Sequence, residues 1–493
     1  MNRISRRQLL GAGAAGSAAA ALVGCDGAYK LAARYFGNGL PDSFALAASA
    51  DIDPDFHVLS RISFGLRPGD LDAIRARGAA AYIEEQLHPE AIDDGACDLL
   101  ARRYESLHLK AGDIYEFRRE IAISELIRAT VIRAAFSRRQ LYEVMVEFWT
   151  DHLNIAHSKA ECVWLKTADD RDVVRRHALG RFRDLIRASA LSPAMLVYLD
   201  GQDNKRTRPE EMPNENYARE LMELHTLGVH GGYTQRDVME VARCLTGWTV
   251  RNGWNKGSVA FVRDRHDDGE KEVLGVRIPA GQGAKDLDSV LEIVTRHPST
   301  ARFVARKLCT RFVSEKPPQS LVDRTAAAFT SSDGDVKHVL RTILYSDEFM
   351  AAKGARVKRP FRFIVSALRA LGAETTAPRG LLEYFNRMGQ TPFAYPTPDG
   401  YPDETAPWLG TMMWRWNFAV ELVSGRVPGV EVRHAALHKS AGSDEPVALF
   451  PHFVGRKPTD VERAALQDFL VSADRGREEA LGLILASPAF QRF

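Results

Sequence analysis

A chain of 493 residues is too long for one small core and calls for two domains or one large domain with additions. With 45% hydrophobic and 26% charged residues, its composition is that of a globular protein rather than a disordered or fibrous one. Lysine and arginine number 66 against 64 acids, and a net charge of +2 gives no electrostatic basis for nucleic acid or an anionic membrane surface, so local sites must carry the function.

The chain opens "MNRISRRQLLGAGAAGSAAAALVGCDG". A basic start, the pair Arg6 and Arg7, a weakly apolar stretch and then "LVGC" have the layout of a twin-arginine export signal that ends in a lipoprotein box, with Cys25 as the acylated residue. The stretch is short and glycine-rich for a membrane span. The expectation is a signal over residues 1–24 and an exported chain held by lipid in the periplasm or at the cell surface. Export of folded proteins is one reason to look for a cofactor. The remaining Cys97, Cys162, Cys244 and Cys309 contain no C-x-x-C, which argues against a zinc ribbon or a redox motif and leaves one or two disulfides open.

Residues 25–50 read as a tether rich in Ala, Gly and Ser. A main helical domain follows over 51–375, where "DLDAIRARGAAAYIEEQL", "FRREIAISELIRATVIRAAF", "RRQLYEVMVEFWTDHLNI", "STARFVARKLCTRFV" and "PFRFIVSALRALG" space apolar residues three and four apart. In "EVMVEFWTDHLNIAHSK", Glu143, Glu147 and Asp151 form an acidic stripe, whereas His152 shares an apolar one with Met145, Phe148 and Trp149 and looks inward. "FRDLIRASALSPAM", "VKHVLRTILYSDEFM" and "EEALGLILASPAFQ" repeat one device, an amphipathic helix followed by a serine able to cap the next helix, at spacing too uneven for a solenoid.

"NENYARELMELHTLG", residues 214–228, packs charged and amide residues into helix-forming sequence. Wound at about 100° per residue, Asn216, Arg219, Glu220 and Glu223 fall on one stripe, and His225 lies opposite with Ala218, Leu221 and Met222. The Glu-x-x-His arrangement of carboxylate-bridged metal sites is missing, since Thr226 stands three after Glu223. Two readings of the stripe stand. It is a solvated face with Arg219 paired to Glu215 or Glu223, or an enclosed site in which two close carboxylates split their pKa values and supply a general acid.

Further on, "SVAFVRDRHDDGEKEVLG" predicts one hairpin turning at Asp268-Gly269 and carries His266, Asp267 and Lys271. As a calcium loop from Asp264 it fails, because Gly275 stands where the closing glutamate belongs. "MGQTPFAYPTPDGYPDETAPW" is too rich in Pro and Gly for helix and predicts an ordered loop bordering a cleft, within a loop-and-helix segment over 376–430. A C-terminal helical segment over 431–493 is expected to pack on the main domain. The fold class is mainly α, a multi-helix orthogonal array with one short hairpin and long ordered loops.

These stretches resemble the bacterial family catalogued as domain of unknown function 1800. The matching blocks are "RISFGLRPGDLDAIRARG", "FWTDHLNI", "NENYARELMELHTLGVHGGYTQRDVMEVARCLTGWTV", "HDDGEKEVLG", "HPSTARFVARKL", "MGQTPFAYPTPDGYPD" and "LILASPAF", in family order from about residue 59 to the end. The resemblance implies an exported, mainly helical envelope protein and no particular reaction. It singles out His152, Asn216, Arg219, Glu220, Glu223, Asp237, Trp248, His266, Asp267 and Lys271 as residues in its blocks.

Three functions compete. In an envelope hydrolase or lyase acting on a polysaccharide or related polymer, Glu220, Glu223, Arg219 and His152 form the catalytic set, and Asn216, Trp248, His266, Asp267 and Lys271 bind substrate, with Trp254 as a further stacking candidate. In a non-catalytic lipoprotein that binds or scaffolds an envelope polymer or an envelope protein, the stripe is an ion-pair network. In a metal or redox cofactor protein, a divalent metal has His152, His266 and Asp267 as candidate ligands. Nucleic acid is not an expected partner, and the membrane is reached through the lipid anchor only.

Overall fold

The computed structural model describes residue 27 and residues 39–208, 210–253, 255–472 and 476–493. The expected signal and Cys25 lie outside the described residues, as does Trp254.

Apolar three-four spacing becomes helix throughout, and polar side chains set the breaks. Helices Arg119–Phe136 and Gln140–His152 are separated where Asp94 accepts from the Ser137 hydroxyl and the Arg138 amide, both at 2.7 Å. Pro298–Phe312 starts with proline in its first turn, where no amide hydrogen is needed. It packs along Gln319–Ser331, which in turn meets Val336–Leu344. The protein is mainly α. Most of the buried apolar residues, from Phe44 to Phe490, form one contiguous cluster.

The hairpin expectation needs correction. The two β-prone runs are strands, but they do not pair with each other. Val259–Phe261 pairs back with Trp248–Val250, and Lys271–Val273 pairs forward with Val276–Ile278 around Leu274 and Gly275. Asp268-Gly269 joins the two sheets instead of turning one. Val276 was not in the predicted run, and Leu274 adopts a positive φ of 50° that no pattern of apolar residues announces. A third two-stranded sheet pairs Glu374–Thr375 with Val430–Glu431.

The repeated device also meets itself. Gly180 and Gly334 precede the first two copies, and a bridge between Arg181 and Asp335 ties their starts together. Ser346 and Ser487 accept from the amides of Phe349 and Phe490 as caps do. Ser192 instead turns its hydroxyl to Asp169, at 2.6 Å.

Residues 39–50 run without helix and are pinned to the far end of the chain. The Phe44 amide donates to Ser440 O and the Lys457 amide to Ser49 O. The C-terminal residues are fixed by a bridge between Val357 and Arg492 and by the Lys358 amide donating to Gln491 O. Cys97, Cys162, Cys244 and Cys309 are buried free thiols. No helix among the described residues is long and apolar enough to cross a membrane.

Candidate functional site

Glu147 and Asp151 sit four apart on helix Gln140–His152, so both carboxylates leave the same side. Arginines from two distant elements meet them. Arg311, from helix Pro298–Phe312, pairs with Glu147, and Arg359, just before helix Pro360–Ala370, reaches Glu147 at 2.7 Å and Asp151 at 2.8 Å. Asp403 joins from the loop at 3.3 Å from Arg356, 3.6 Å from Arg311 and 3.7 Å from Arg359. Burial pushes the Asp151 carboxyl up to about 6 against the pull of Arg359. Burial also raises Glu147 and Asp403, but their several arginines outweigh it and hold both below the usual carboxylate range.

The Pro-rich loop is fastened across this helix end. The Asn154 side-chain amide donates to Tyr395 O at 3.0 Å and Thr397 O at 2.7 Å, and the Tyr198 hydroxyl donates to Pro396 O. Gly400, with φ of 75°, lies so close that a Cβ would overlap the Asp151 carbonyl. This contact places Tyr401 and Asp403 beside Arg359, which donates to Tyr401 O at 3.4 Å, and leaves Asp399 exposed on the same loop.

The polar helix closes the other side. Helix Asn216–Glu220 continues as a π turn over Leu221–Thr226, with the Thr226 hydroxyl donating to Leu221 O at 2.7 Å. The stripe is as expected: Asn216, Arg219, Glu220 and Glu223 are part-exposed, whereas His225 is buried with Ala218, Leu221 and Met222. Asn216 donates to Leu199 O and Asp200, both at 3.1 Å. Arg219 is held locally by Glu215 at 2.7 Å, Gln235 at 2.8 Å and Glu223 at 3.3 Å. Burial, then Glu223 and Asp399, raise the Glu220 carboxyl.

His152 is the inward residue its apolar stripe implies, and it still touches Lys307. His225 O can only accept, so His152 Nε2 donates to it, at 3.0 Å, and His152 Nδ1 accepts from the Lys307 ammonium, also at 3.0 Å. Burial and the Lys307 charge keep His152 neutral, well below its ordinary range. Burial also lowers Lys307, against the opposing pull of Asp403, Asp151, Asp399 and Glu404.

The remaining sequence candidates are not brought to this place. His266 and Lys271 both contact Asp286, with His266 Nε2 at 3.1 Å, while His266 Nδ1 faces Thr246. Asp267 is clamped by Arg206 and by Arg243, the latter at 2.7 Å. Trp248 packs on Phe261 with ring centroids 5.1 Å apart. Asp237 forms a capping box with Thr234 and accepts from the Leu274 amide. The metal expectation meets the same obstacle, because His152 and His266 have both ring nitrogens engaged and Asp267 is held by arginines. Among the described residues, no three His, Cys, Asp or Glu are grouped so as to hold a metal ion.

The sequence reading missed Lys307, Arg311, Arg359, Asp399 and Asp403. Asp399 and Asp403 stand inside a family block, and Lys307 and Arg311 are four apart on one helix, so those signals were present. Arg359 gives none, because its partners lie 208 and 212 residues away.

A mainly helical body with a cluster of carboxylates, arginines, a lysine and a histidine beneath a fastened Pro-rich loop is the class that fold and site define. Residues 57–492 match the family model described as "Protein of unknown function (DUF1800)", and the chain belongs to that family. No curated protein and no solved structure matches it.

Proposed function

We propose that this chain is an exported, lipid-anchored envelope enzyme, a hydrolase or lyase acting on a polysaccharide or a related polymer by acid-base chemistry. One observation carries the reading. Four of the stretches behind the family resemblance, spread from residue 151 to residue 403, bring Asp151 and His152, Glu220 and Glu223, Lys307, and Asp399 and Asp403 within electrostatic reach of one another, with Asp399 as the link to Glu220. Packing alone would not require so many ionisable groups to meet.

Glu220, which binds its proton more tightly than an ordinary glutamate, donates it to the leaving oxygen. Asp399 accepts a proton from the attacking water or from the sugar, and Lys307, fixed by neutral His152, stabilises developing negative charge. Arg219, tied to three neighbours, positions Glu223 and Glu215. The experiment is product release from envelope polysaccharides by the mature protein. Glu220→Gln should lower the rate by roughly 10²–10⁴-fold while polymer binding persists. Full activity in that variant would remove Glu220 as the acid.

A second reading rests on the local pairing of Arg219 with Glu215, Glu223 and Gln235. The same cleft would then bind a polymer or partner protein without chemistry. Binding without turnover in the unaltered protein would favour it.

A further inference from the structure

Four cationic side chains gather beneath the C-terminal segment, and among the described residues no Asp or Glu forms an ion pair with any of them, although the Glu147 charge reaches Arg362. Arg61, Lys358, Arg362 and Arg415 are each exposed by 6% or less. The arginines spend their donors on neutral oxygens. Arg61 donates to Ala352 O, and Arg362 donates to the carbonyls of Ser60, Arg61 and Ser63 at the end of helix Pro54–Ile62. Arg415 donates to Lys358 O and to Gln491 Oε1, both at 2.7 Å. Among the described residues, Arg61 Nε and Nη1, Arg362 Nε and Arg415 Nη2 find no acceptor. Lys358 Nζ rests on the face of Phe490, 3.4 Å from the ring centroid. The nearest acidic network offers little, since Glu147 and Asp403 are already held by Arg311, Arg356 and Arg359.

Lys358 and Arg362 both line a cavity of about 20 Å³ walled by Phe56, Phe64, Phe453 and Phe490. Buried charge without a counter-charge is among the costliest arrangements in a protein, and an aromatic face compensates an ammonium only in part. The cavity admits something the size of a water molecule, too small for a phosphate ester or a sugar acid. Its mostly apolar walls suit an ion that sheds water easily.

We propose that the cavity at Lys358 and Arg362 is a binding site for a small monovalent anion, chloride by its size and charge. Bound there, the anion neutralises the ammonium and fastens helix Pro54–Ile62, through Arg362, to the C-terminal residues. The site uses none of Glu220, Asp399, Lys307 or His152 and does not depend on the proposed reaction, although Arg362 feels the charge of Glu147. Burial, Arg362 and Arg415 all weaken the hold of Lys358 on its proton, which is the direction a missing counter-charge produces.

The test uses the mature protein dialysed into sodium gluconate, then titrated with sodium chloride or bromide at constant ionic strength. A saturable rise in melting midpoint is expected, about 1–3 °C at ten times the dissociation constant. Crystals grown in bromide should show an anomalous peak in contact with Lys358 Nζ. Lys358→Met should fold, because an apolar side chain replaces a buried charge, and should lose the halide response. Identical midpoints in gluconate and halide, with no bromide peak at Lys358, would overturn the proposal and leave Lys358 a neutral amine on Phe490.

Discussion

At the residue scale, the cleft depends on Arg359, whose guanidinium is almost wholly buried and bridges Glu147 and Asp151. Removing it leaves Glu147 and Asp403 to Arg311 and Arg356 and strips Asp151 of its ion-pair partner. Arg359→Met should therefore cost about 3–5 kcal/mol of unfolding free energy by urea titration, and a loss under 1 kcal/mol would mean the three acids are already solvated. The stripe of Asn216, Arg219, Glu220 and Glu223, with His225 opposite, was legible because helical spacing sorts side chains by face. Its chemical setting was not, because Asp399, whose charge acts on Glu220, comes from a distant loop that spacing on one helix cannot encode. His266, Asp267 and Lys271 show the converse. Their motif was visible, yet Asp286 and the arginines that bind them turn it into a separate buried cluster.

At the scale of elements, Asp237 links two pieces of structure. Its carboxylate completes the capping box of helix Gln235–Cys244 and accepts from the Leu274 amide at 2.8 Å. Thr234→Ala removes a cap alone and should cost about 1 kcal/mol, whereas Asp237→Ala also strands the Leu274 amide and should cost measurably more. Equal losses would show that the amide finds water instead. The Pro-rich loop offers a second test. Gly400→Ala combines positive φ with overlap against Asp151 O, so it should lift the loop and lower the melting midpoint, by about 1 °C for each kcal/mol lost in a chain of this length. An unchanged midpoint would contradict the close contact. The loop itself was legible from Pro, Gly and aromatic content. Strand partners were not, because runs of three residues carry no register information.

For the whole molecule, ionisation ties stability to pH. Burial, the largest cause at each, lowers His57 and His452 to about 4 and His225 to about 3. Folding keeps these rings neutral, so their contribution is full above the unfolded value of 6.5 and is lost as pH falls toward 4. Asp94 and Asp151, raised by burial to about 6, act in the opposite sense, favouring the fold below the unfolded value of 3.8 and losing that contribution as pH rises through 6. The three histidine shifts together exceed the two aspartate shifts. Melting midpoints measured from pH 7 down to 4 should therefore fall, and a flat or rising curve would show that the buried rings take up protons in the fold. The helical class and the family were legible at this scale, since both rest on repeated local pattern over nearly the whole chain.

The clasp between Asn154 and the Pro-rich loop spans 241 and 243 residues of chain. During synthesis, the end of helix Gln140–His152 must wait uncovered until most of the polypeptide has left the ribosome. Contacts of such separation form slowly, after the local helices. A nascent or clipped chain that stops short of the loop could build most of the helices and still present Asp151 to bulk solvent.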